Sequence, residues 1–120
     1  MNRSHIPYLL DTRTLEFEVA KTAVPKVDDA GRQKIDTATG NPVWAVEVNV
    51  WAGEDQGCES WTVSVASSTR PALEWRQPVE PVELEMLPWS SERNGKFRSG
   101  VAFRAKEILP VAVQRVAAAA

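Results

Sequence analysis

The chain has 120 residues, of which 43% are hydrophobic and 25% charged, and a net charge of −2. This length supports one core rather than two, and the balance is that of a globular domain, neither disordered nor uniformly basic. No apolar run approaches the roughly 20 residues of a membrane-spanning helix, the N-terminus lacks a signal-peptide core, and Cys58 has no second cysteine to bridge, so a cytoplasmic protein without membrane contact is expected.

Residues 1–11 read as a flexible N-terminus, and the domain is expected over 12–110. "TLEFEVAKTA" alternates Leu15, Phe17 and Val19 with Glu16 and Glu18, the period of a half-buried strand. The next segment, "VPKVDDAGRQKIDTATGNP", reads as a long hairpin connection with a flexible tip, into which Ile35 extends the ladder. "VWAVEVNVWA" sets Trp44, Val46, Val48 and Val50 on one face and Trp51 on the other. After the short turn "GEDQGCE", "SWTVSVAS" places Trp61, Val63 and Val65 together. The connector "STRPALEWRQPVEP" holds three prolines and leaves room for one helical turn at most, around Ala72 to Arg76. "PVELEML" and "SGVAFRAKEIL" are the fourth and fifth strands. Met86, Val101 and Phe103 face the core, and Asn94-Gly95 supplies the hairpin turn between them. Residues 111–120 read as a tail or a short helix.

Five strands with one apolar face each, and no amphipathic helix to cover them, are expected to curl into a barrel. The predicted fold is all-β: a small five-stranded OB-like barrel with no substantial helix between strands three and four. An SH3-like barrel or a small sandwich satisfies the same pattern.

The residues of enzymatic chemistry are missing, so no catalytic role is expected. The one histidine, His5, has no nucleophile or carboxylate arranged around it, and Cys58 lies in an acidic turn. There is no phosphate-cradling glycine motif, and one cysteine with one histidine cannot make a usual zinc site. No metal or cofactor is expected.

The cations and aromatic residues carry more information. From Arg93 to Lys106 the chain holds five cations (Arg93, Lys96, Arg98, Arg104 and Lys106) and no acid. A second group, Lys21, Lys26, Arg32 and Lys34, belongs to the first hairpin, where Asp28, Asp29 and Asp36 dilute it. In an OB barrel these two loops flank one face, and basic loops with aromatic side chains between them would track a single-stranded backbone and stack its bases. The expected contacts are Lys26, Arg32, Lys34, Arg93, Lys96, Arg98, Arg104 and Lys106 to phosphates, and Trp51, Trp89 and Phe97 to bases. Plainer readings stand beside these. The exposed tryptophans and Phe97 could close the barrel ends, and Glu83 and Glu85 could pair with Arg104 and Lys106 across the ladder, leaving Arg93, Lys96 and Arg98 for a partner.

Pro25-Lys26, the turn from Asp36 to Pro42, and Pro88-Trp89 followed by Arg98 to Ala105 together resemble a family of small proteins encoded on actinobacterial plasmids and integrative elements. The likeness spans about Leu15 to Pro110, but the glycine-rich connector often found before the fourth strand is missing. It implies an accessory or regulatory role in handling mobile DNA, most simply as a single-stranded DNA-binding OB module, and no catalytic residue. Single-stranded DNA, with RNA as the variant, is the expected partner. The alternative is a non-enzymatic interaction module that forms a homodimer or higher oligomer, or docks on a replication or transfer protein.

Overall fold

In a computed structural model that describes residues 6–53 and 56–111, every regular element is a strand. These are β1 (Tyr8–Leu9), β2 (Glu16–Pro25), β3 (Val43–Trp51), β4 (Cys58–Ala66), β5 (Pro78–Val82), β6 (Glu85–Arg93), β7 (Lys96–Ala105) and β8 (Glu107–Pro110). They form one eight-stranded sheet in the order β1-β6-β7-β4-β3-β2-β5-β8. The sheet curls into a half-barrel. With no helix among the described residues to cover it, its apolar side is buried by folding toward itself. Phe17, Val19, Val46, Val48, Val63, Val65, Val79, Leu84, Ala105 and Ile108 accordingly meet in one core cluster. Register shifts in β2 after Val19 and Lys21 add curvature. Leu73, from the proline-rich connector, plugs the cluster, and the connector holds no helix.

The five expected strands are eight, for two physical reasons. First, the expected fourth and fifth strands are each broken once. Glu83 takes a left-handed backbone (φ 50°), which ends β5 and starts β6, and Lys106 interrupts the returning limb opposite it. The register does not slip across the break: Val82 pairs with Glu107 on one side and Glu85 with Arg104 on the other. The two limbs are therefore one long hairpin bent in the middle. Its β5–β8 half joins β2, while its β6–β7 half joins β4. Second, Tyr8–Leu9 pair with Met86 and Glu85, so the domain begins earlier than residue 12. Residues 1–5 of the expected N-terminus, and 112–120 of the expected tail, lie outside the described residues.

β1 stops for a local reason. Leu10 N donates to Leu84 O (2.9 Å), and Tyr8 pairs with Met86. Alternate residues of β6 thus turn their backbone toward β1, and the next in that series is Pro88, which has no N–H to give. Beyond it, Leu87–Arg93 and Lys96–Ala102 form a two-stranded arm. β4 reaches β7 only at Phe103 to Ala105, and β1 reaches β6 only at Glu85 and Met86. The arm closes on Asn94 (φ 55°) and Gly95 (φ 77°), the two left-handed residues a tight type I′ turn demands.

The long β2–β3 connection is not an open tip. Isolated bridges Val27–Gln33 and Ile35–Pro42 fold it on itself, and Asp28 and Asp36 hold its turns.

Candidate nucleic-acid interface

Strand alternation sorts the arm's side chains onto two faces. Counting outward from the turn, Arg93 pairs with Lys96, Ser91 with Arg98, Trp89 with Gly100 and Leu87 with Ala102 on one face. Glu92–Phe97, Ser90–Ser99, Pro88–Val101 and Met86–Phe103 take the other, which continues the core side. Arg93, Lys96, Arg98 and Trp89 therefore share one outward surface. Among the described residues none of those three cations has a carboxylate within ion-pairing distance.

Trp89 is held in place. A Cβ built on Gly100 would lie 2.8 Å from the indole Cζ2 and 3.0 Å from Cε2, so the ring rests on the one residue type that lets it approach. The residue nevertheless keeps 39% of its surface exposed. A partly exposed indole seated on a glycine, beside three unpaired cations, has the chemistry of a base-stacking platform next to a phosphate track.

The other expected contacts fall elsewhere. Arg104 is tied to Glu85, its cross-strand partner, at 2.7 Å, and Lys106 stands 3.7 Å from Glu83. The pairing across the ladder removes both from the unpaired set. Phe97 is 79% exposed and lies on the opposite face from Trp89, and Val101, expected in the core, is also exposed because β4 does not extend alongside it. Trp61 and Phe103, by contrast, stack at 4.3 Å and close the core at the base of the arm.

The two basic loops do not meet. β3 sets Val43 beside Ala66, and β4 runs parallel to β7 with Val65 beside Ala105. The first loop, with Lys26, Arg32 and Lys34, therefore sits at the Ala105 end, whereas the arm tip lies beyond Lys96. Nine residues of strand separate these positions, about 30 Å. Within the first loop Lys26 is half-buried and donates to Ser64 Oγ at 2.8 Å. Burial, and then the neighbouring Lys34, hold its pKa below that of an ordinary lysine. Arg32 stands 4.0 Å from Asp28, whose carboxylate also caps the loop's backbone. At the arm's end of the sheet, Trp51 is half-buried on the outer side, but its cross-strand partner is Glu16, and Glu18 and Glu47 lie on that same outer side. Arg76 offsets Glu18 at 3.5 Å and Lys21 stands opposite Glu47, so the β2–β3 exterior has no surplus of cations for a phosphate track.

A groove of about 570 Å³ lies at the opposite end, between Asp36, Thr39, Ser64, Leu9 and the paired Glu83, Glu85, Arg104 and Lys106. Two ion pairs match four of its charges, and Asp36 accepts hydrogen bonds from Thr39. Among the described residues no cluster of His, Cys, Asp or Glu is placed to hold a metal ion, and no helix is long and apolar enough to cross a membrane.

Sequence reasoning missed the role of Gly100. The signal was available, because Trp89 and Gly100 are equally far from the Asn94-Gly95 turn. Trp75, a candidate platform by sequence that was left out of the expected contacts, is 70% exposed with the Arg76 guanidinium 5.7 Å from its ring centre. That pair sits on the connector, away from the arm. No family model matches the chain, and neither curated proteins nor solved structures yield a significant match.

Proposed function

We propose that this protein binds single-stranded nucleic acid, DNA in the first instance, through the outward face of the β6–β7 arm, and that it performs no chemistry on it. The observation that carries this reading is the shared face of Trp89, Arg93, Lys96 and Arg98. Phosphates engage the three cations while a base stacks on the exposed part of the indole. Neither contact reads base identity, so sequence preference is weak. An OB-like architecture is part of the proposal. It is supported by the order of the long strands, β6-β7-β4-β3-β2, with β7 parallel to β4. The cytoplasmic setting and the accessory role on a plasmid or integrative element follow from the sequence resemblance and belong to the same proposal.

The test is a titration with labelled oligo-dT, followed by tryptophan fluorescence at several salt concentrations. Quenching with an affinity that falls as salt rises is expected. Absence of quenching at low salt, or an affinity indifferent to salt, rejects the reading.

The second reading, an interaction module that oligomerises or docks on a replication or transfer protein, is favoured by one observation. Tyr8 and Leu9 of the edge strand β1 are both exposed. Light scattering that finds a dimer, together with no oligo-dT binding, selects it.

A further inference from the structure

The arm has two faces of opposite chemistry, and the single-strand reading uses only one of them. On the other, Phe97 stands beside the turn with 79% of its surface exposed, and its cross-strand partner is Glu92. Every cation of the arm points away from this face. A carboxylate and no cation make it hostile to a phosphate backbone, yet a bare phenyl ring is a good surface for the apolar plane of a base pair. The arm is also thin. Beyond Leu87 and Ala102 no third strand flanks it among the described residues, so nothing widens the ribbon where Phe97 projects. Trp89 and Phe97 thus look out from opposite sides of a single layer of strands, three residues of ribbon apart, about 10 Å.

We infer that the arm is a wedge for a junction between single- and double-stranded nucleic acid. The unpaired strand runs along the Trp89 face, and the last base pair of the duplex stacks on Phe97. This rests on the proposed binding of single strands and adds its preferred substrate. An apolar side chain laid against a base step is an established way for a protein to engage a duplex it does not read. Here the two aromatic rings on opposite faces separate the two parts of the substrate.

Three labelled DNAs test it by anisotropy: oligo-dT, a blunt duplex, and the same duplex with an oligo-dT overhang. The native protein is expected to bind the overhang duplex about 5- to 150-fold more tightly than oligo-dT, the worth of one additional stacked base. Phe97→Ala, at a position too exposed to affect folding, should bring the overhang duplex down to the oligo-dT affinity and leave oligo-dT itself unchanged. Phe97→Trp should keep the preference. Equal affinity of the native protein for overhang duplex and oligo-dT, or a preference that survives Phe97→Ala, overturns the wedge while single-strand binding stands. Failure to bind oligo-dT removes the underlying reading, and the wedge with it.

Discussion

The indole of Trp89 lies against the backbone of Gly100, the residue directly across the ladder, closely enough that a methyl group there would sit 2.8 Å from Cζ2. The position of the ring is thus set by a residue that would itself touch no ligand. Gly100→Ala should push the indole off its seat. Because the displaced ring end is exposed, thermal stability should change by less than about 1 kcal/mol. Affinity for oligo-dT should fall nearly as far as in Trp89→Ala, about 5- to 150-fold for the loss of one stacked base. A melting curve and an oligo-dT titration on both variants check this. Full affinity in Gly100→Ala would show that this seat for the indole is not needed.

The cations divide into a working set and a paired set, and salt dependence separates them. Replacing Arg93, Lys96 and Arg98 together with alanine should reduce the slope of log K against log salt by about 2, the release of three counterions from a single strand. The same replacement of Arg104 and Lys106, held by Glu85 and Glu83, should leave the slope nearly unchanged. Being exposed pairs, their loss should cost about 1 kcal/mol or less in stability.

Lys26 gives a pH prediction. Burial and Lys34 lower its pKa in the folded protein, so over the window between that value and the ordinary 10.5 the unfolded chain binds more protons than the folded one. Stability contributed through this group is lowest where the lysine is charged in both states, and it rises as pH climbs through the folded pKa. Denaturant midpoints across the alkaline range, in the native protein and in Lys26→Met, should differ in slope. The native protein should show the steeper upward trend.

Core and arm should respond differently to the same truncation. Val48 is fully buried between β2 and β4, and Val48→Ala should cost about 2–3 kcal/mol through lost burial and a cavity. Val101→Ala, on the arm beyond the reach of β4, should stay within about 0.5 kcal/mol. Urea unfolding of the two variants makes the comparison.

What could be read in the sequence was what alternation and turn chemistry dictate. Phe17, Val46, Val48, Val63 and Val65 were recognisable as one buried side, and Asn94-Gly95 as the arm's turn. The pairing of Glu85 with Arg104 was foreseeable from distance to that turn. The break at Glu83 was not, because nothing in a glutamate announces a left-handed backbone. Nor was β1, since two residues are too few to show a period. The separation of the two basic loops depends on the parallel pairing of β4 with β7, a contact between segments about forty residues apart that no local pattern encodes. Composition suggested that cations and aromatic residues would converge, and long-range topology decided which of them did.

That parallel pairing also bears on the order in which the chain acquires its structure. Only Val63 to Val65 and Phe103 to Ala105 take part, and a large loop must close before they meet. The arm, by contrast, is local: its turn is built from adjacent residues, and hairpins of this kind form in about 1–10 μs. Sheets dominated by distant contacts take milliseconds to seconds. The seat of Trp89 on Gly100 is therefore expected to begin forming before the body that carries it, with the pairing of β7 onto β4 following as the slower step.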